Sequence, residues 1–141
     1  MSALSLELIA AYRATDYRVY ASPEPDFILR IDCHSPELAS LHAARGVTGS
    51  AHLTAWNPLG APTPLEINRA AQGLMLADLL ALNAATLPGF GVNQAEEWPG
   101  EEHVLAIGVS RDDAIGLGRK YNQNAIVWSG VDAIPELILL K

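Results

Sequence analysis

The chain has 141 residues, half of them hydrophobic and 18% charged, with nine Lys and Arg against sixteen Asp and Glu and a formal net charge of −7. A chain of this length can bury roughly 68 to 70% of its unfolded surface, so one domain over residues 1–141 is expected, and a disordered tail is excluded. Phosphate backbones and anionic lipid surfaces call for clustered Lys and Arg. The closest approach to a cluster is Arg119-Lys120, so neither nucleic acid nor a membrane is expected as a partner.

Met1 to Ala14 carries Glu7 in its apolar stretch and no basic residue before it, which is wrong for a secretory signal and makes cytoplasmic the expected location. The longest apolar segments, Leu74 to Leu82 and Ala125 to Leu140, are broken by Asp78 and by Asp132, Pro135 and Glu136. Neither approaches the roughly 20 residues that span a bilayer. Cys33 is the lone cysteine; it can form no internal disulfide, has no paired-Cys zinc spacing, and fits a reducing compartment.

In chain order, Leu4, Leu8, Ile9, Ala11 and Tyr12 recur at helical spacing and predict a helix of about three turns within residues 1–15, which either packs on the domain or trails from it. Tyr17 to Tyr20 alternates at period two, Ser22 to Asp26 reads as a turn, and Phe27 to Ile31 as a second strand, so a hairpin is expected. Three further helices are marked by their starts, where a Ser or Thr hydroxyl can accept an orphaned first-turn N–H. Ser35-Pro36-Glu37 opens a helix over Pro36 to Arg45, and Thr63-Pro64-Leu65-Glu66 one over Pro64 to Ala84 with a capping box. Ser110-Arg111-Asp112-Asp113 opens the last, over Arg111 to Tyr121.

Strands are expected at Ser50 to Trp56, His103 to Val109, Asn124 to Trp128 and Glu136 to Leu140. Leu87 to Gly100, with Pro88-Gly89-Phe90-Gly91 and Trp98-Pro99-Gly100, reads as a short strand plus a long loop. Strands and helices interleave without strict βαβα order, which predicts an α+β two-layer domain with a mixed β-sheet and about four helices. The helix from Pro64 is apolar almost all round, because Ile67 with Leu74, Met75 with Leu82, and Leu76, Leu79 and Leu80 fall on different sides. Burial beneath other elements is expected, with a homodimer through this helix as the alternative. Asn68 and Gln72 fall near Met75 and Leu79.

Few residues point to chemistry. His34, His42, His52 and His103 show no zinc-binding spacing, so no metal site is expected. Gly108-Val109-Ser110 lacks the second glycine of a nucleophile elbow, and Ser110 reads as a cap. Gly116-Leu117-Gly118 lacks the third glycine of a dinucleotide fingerprint and reads as a close-packing patch, so no cofactor is expected. Glu96-Glu97 and Glu101-Glu102 bracket Trp98-Pro99-Gly100, and two close carboxylates could divide acid and base roles or hold a cation. Thr54, Trp56 and Asn57, and then Gln123 and Asn124, set neutral polar groups beside strands that should be buried, where an unpaired group costs about 1 to 3 kcal/mol. Such groups either fasten turns or meet a ligand.

The ordered set Leu53-Thr54-Ala55-Trp56-Asn57-Pro58, Asn68, Trp98-Pro99-Gly100-Glu101-Glu102, Gln123-Asn124-Ala125-Ile126-Val127-Trp128 and Pro135-Glu136-Leu137 resembles domain-of-unknown-function family 3293, a set of small bacterial proteins, from about Tyr17 to Leu140. Asn122 stands where that pattern leads one to expect glycine. The resemblance implies a bacterial, cytoplasmic, stand-alone domain and assigns no catalytic residue. The residues themselves suggest a module binding a small polar ligand or peptide through Thr54, Trp56, Asn57, Asn68, Gln123 and Asn124. The alternatives are a small enzyme with Glu101 or Glu102 as base or cation ligand, and a structural homo-oligomer subunit.

Overall fold

The computed structural model describes residues 4–93 and 101–141. Glu96, Glu97, Trp98, Pro99 and Gly100 of the expected acidic loop lie outside the described residues. Four helices, α1 (Leu6–Arg13), α2 (Pro36–Arg45), α3 (Leu65–Ala81) and α4 (Arg111–Lys120), accompany seven strands, β1 (Thr15–Val19), β2 (Phe27–Leu29), β3 (Ser50–Leu53), β4 (Ala85–Asn93), β5 (Glu101–Ile107), β6 (Ala125–Ser129) and β7 (Pro135–Leu139). The strands form one sheet in the order β2-β1-β4-β5-β3-β6-β7.

Every pairing in that sheet is antiparallel, so the α+β class stands and the mixed sheet does not. The connections through α2, α3 and α4 each return the chain to a strand running the same way, but never to a neighbour: at least one antiparallel strand lies between the two strands joined, so no parallel pair forms. The two-layer expectation also changes, because the central strands are buried on both faces. Val104 and Ala106 of β5 pack with Met75 and Leu79 of α3 and Ala114 and Leu117 of α4. Leu105 and Ile107, pointing the other way at period two, pack with Leu38 of α2 and with Tyr17 and Val19 of β1. The sheet curls, bringing its ends together: Asp32 beyond β2 donates its N–H to the Pro135 carbonyl of β7 at 2.8 Å. Tyr17, Leu105, Val127 and Leu137 line the inside of the curl.

Sequence and structure agree at two helix starts. Ser35 Oγ accepts the Leu38 N–H and Ser110 Oγ accepts the Asp113 N–H, both at 3.1 Å. They differ at α3, where Thr63 Oγ1 donates to the Ala61 carbonyl at 2.9 Å and makes no cap. The α3 surface is also less covered than its composition suggests. It buries Asn68, Gln72, Met75 and Leu79 but leaves Ile67, Leu74 and Leu80 at 58%, 63% and 75% exposure.

The segment read as a short strand plus loop is instead β4, nine residues long and paired on both edges. Its glycines serve close approach. A Cβ on Gly89 would sit 2.3 Å from the Arg18 carbonyl oxygen and 2.9 Å from His52 Nε2, and one on Gly91 2.8 Å from His103 Nε2. Gly118 plays the packing role expected of it, since its Cβ would meet Ile126 and Leu140 at 2.6 Å, whereas a Cβ on Gly116 would meet open space. Among the described residues, no helix is long and apolar enough to cross a membrane.

Candidate functional site

A cavity of about 230 Å³ opens between the inside of the curl, the Thr54 to Pro62 segment and α1. At roughly 30 Å³ per water molecule it holds the volume of seven or eight waters, below the usual drug-sized range. Helix α1 does not trail from the domain. Tyr17 Oη donates to the Tyr12 carbonyl at 2.8 Å, Asn93 Nδ2 to the Ala11 carbonyl at 3.0 Å, and Asn124 Nδ2 to Tyr12 Oη at 3.1 Å. These bonds place Leu8, Ala11 and Tyr12 in the cavity wall.

The amide cluster foreseen from the sequence is assembled at the rim, where it mostly fastens the chain. Asn57, at φ +46°, accepts the Thr63 N–H at 3.1 Å and the Asn68 Nδ2 donor at 2.9 Å through Oδ1. Its own N–H donates to Asn68 Oδ1 at 2.8 Å, and its Nδ2 donates to Glu101 Oε2 at 3.0 Å. Thr54 Oγ1 donates to the Glu102 carbonyl at 2.6 Å and accepts the Trp56 N–H at 3.0 Å. Gln123 Nε2 reaches the Trp56 and Tyr121 carbonyls at 3.2 and 3.3 Å. Thr54, Asn57, Glu101 and Gln123 line the cavity, whereas Trp56, Asn68, Glu102 and Asn124 do not. Glu101 and Glu102 are adjacent on β5 and point to opposite faces, so only Glu101 shares the inside of the curl.

The more distinctive chemistry is a histidine pair. His52 on β3 is opposite Leu105 of β5, which puts His103 at its diagonal neighbour, within reach of a long side chain. Their Nδ1 atoms lie 3.0 Å apart, and His52 Nε2 lies 2.8 Å from the Arg18 carbonyl oxygen. That carbonyl can only accept, so His52 carries its proton on Nε2 and presents a bare Nδ1. His103 must then donate from Nδ1, which leaves the lone pair of a neutral His103 on Nε2. Burial, and secondarily the His103 ring, push the His52 imidazolium down to about 3, so His52 is neutral at pH 7. His103 Nε2 is buried without a hydrogen-bond partner and lies 3.9 Å from Glu101 Oε1.

Sequence reasoning passed over these two histidines because 51 residues separate them. The signal that could have found them is Gly89-Phe90-Gly91, two glycines on one strand face where the imidazoles need room. Tyr12 completes the polar wall. Its hydroxyl proton is held above the usual phenol range by burial and by the Glu101 charge, against the opposing Asn124 bond. Among the described residues, no three His, Cys, Asp or Glu side chains form a group that could hold a metal ion.

The family described as protein of unknown function (DUF3293) matches residues 53–126, just over half of the chain. The chain belongs to this family. The span is narrower than Tyr17 to Leu140, yet it takes in all eight residues singled out from the sequence, and His103 as well. Tyr12, Tyr17 and His52, which also line the cavity of this DUF3293 chain, lie before it. No curated protein and no solved structure matches the chain.

Proposed function

We propose that the chain binds a small polar ligand in the cavity beneath Asn57, as a bacterial cytoplasmic protein. The observation that carries this reading is the polar lining of the cavity: among the described residues the buried His103 Nε2 has no hydrogen-bond partner, Glu101 Oε1 faces it at 3.9 Å, and Asn124 donates to Tyr12 Oη without using its proton. A buried polar atom left unpaired costs about 1 to 3 kcal/mol, and a ligand that pairs it recovers part of that cost. The amides act on this reading as the frame that fixes Glu101, with Gln123 in the wall and Trp56, Asn68 and Asn124 behind it. The exposed thiol of Cys33 suits a reducing compartment.

The test is a thermal-shift screen of small polar compounds on the wild type, followed by calorimetry with Tyr12→Phe and Glu101→Gln. Each variant is expected to weaken binding of a hit at least tenfold while keeping its fold. Unchanged affinity in both would remove the site.

An enzyme reading finds support in Glu101 beside His103 and none in a Glu101/Glu102 pair. A homodimer through α3 is favoured separately by the exposed Ile67, Leu74 and Leu80. Light scattering is expected to give a dimer mass for the wild type and a monomer mass for Leu74→Glu; a monomeric wild type would sink that reading.

A further inference from the structure

The geometry points to a small primary amine, bound as its ammonium cation between Glu101 and His103, as the ligand class of this cavity. The inference rests on the cavity being a ligand site and goes on to assign the ligand's charge and donor count.

The hydrogen bonds of the site fix it as an acceptor. Asn57 Nδ2 occupies Glu101 Oε2 at 3.0 Å and so turns Oε1 toward His103. The Arg18 carbonyl fixes the His52 tautomer, and His52 in turn fixes that of His103, so Nε2, the bare nitrogen of the neutral tautomer, is the atom that faces Glu101. Two acceptors therefore stand 3.9 Å apart with no donor from the described residues between them. That distance is too long for a direct hydrogen bond and short enough for one nitrogen to donate to both. An ammonium group offers three N–H donors, one for each acceptor and one to spare. A hydroxyl has a single proton and can satisfy only one of the two.

Charge argues the same way. Glu101 is the one charged side chain among the described residues lining the cavity, and it sits partly enclosed at 39% exposure. An anionic ligand would bring a second negative charge beside it in a site where screening is weak. A neutral ligand would leave the carboxylate without a counter-charge. The wall below the carboxylate is apolar or aromatic, with Leu8, Ile126, Leu137 and the Tyr17 ring, which suits a short hydrocarbon chain behind the ammonium head.

Calorimetry at pH 7.5 with butylamine, butane-1,4-diamine, butan-1-ol and butyrate tests the assignment on the wild type and on Glu101→Gln. The amines are expected to bind saturably at one site, the alcohol and the carboxylate not at all, and Glu101→Gln to lose at least tenfold in amine affinity. The variant is isosteric and retains an acceptor for Asn57, and its unfolding curve checks that the fold is kept. Butan-1-ol or butyrate binding as tightly as butylamine, in competition with it, would overturn the ammonium assignment while leaving the ligand cavity standing. Amine binding that ignores Glu101→Gln would overturn it as well. If none of the four probes binds the wild type, the amine assignment fails.

Discussion

Acidification from pH 7 to pH 4 is expected to destabilise the wild-type chain by roughly 3 kcal/mol more than it destabilises His52→Gln, at about 1.4 kcal/mol per pH unit for one proton. An unfolded histidine takes up its proton near pH 6.5, whereas folded His52 resists protonation down to about 3. Between those values the unfolded state holds the extra proton. The stabilisation is therefore complete above pH 6.5 and is lost progressively as pH falls toward 3. Glutamine is the informative replacement because it removes the titration while offering a donor to the Arg18 carbonyl and an acceptor to His103. His42, buried against Ser50 and also lowered by desolvation, contributes in the same direction in both proteins and cancels in the difference. Urea unfolding at a series of pH values measures the effect, and parallel curves for the two proteins would show that His52 is not buried as a neutral ring.

Asn57→Ala is expected to cost 2 to 5 kcal/mol, at about 1 to 3 kcal/mol for each partner left unpaired. The truncation strands the Thr63 N–H and one of the two Asn68 Nδ2 protons, the other staying on the Thr63 carbonyl, and releases the Glu101 carboxylate. It also puts alanine at φ +46°, a left-handed conformation that asparagine tolerates better. Asn57→Asp separates these effects. It retains the Oδ1 acceptor and the backbone preference but sets a second carboxylate against Glu101, so its loss should shrink when Glu101→Gln is added. Denaturant unfolding of the two single variants and the double variant measures this. A change below about 0.5 kcal/mol for Asn57→Ala would mean that the residue does not fasten the rim.

Features that rest on local chemistry were legible in the sequence. The Ser35 and Ser110 caps, the β1–β2 hairpin and the apolar β6 strand each depend on neighbours a few residues away. The rim amides were legible as well, because polar groups beside buried strands must find partners wherever the strands go. Features that rest on distant partners were not legible. Pro88, Gly89 and Gly91 look like a loop until the Arg18 carbonyl and two imidazoles from other strands are seen to need that space. Thr63 looks like a cap until Asn57 claims its N–H and Ala61 its hydroxyl. The histidines look unrelated until β3 and β5 pair and bring them onto one diagonal. The predicted covering of α3 failed for a related reason: helical periodicity marks an apolar face but does not supply an element to cover it, and Leu74 and Leu80 remain in solvent.

The most direct measurement is nitrogen NMR of the imidazole rings in the 15N-histidine-labelled protein at pH 8. His52 is expected to carry its proton on Nε2 with a bare Nδ1, and His103 to carry its proton on Nδ1 with a bare Nε2 that changes on addition of butylamine. A His103 ring protonated on Nε2 would contradict the account, because the cavity would then present no pair of open acceptors.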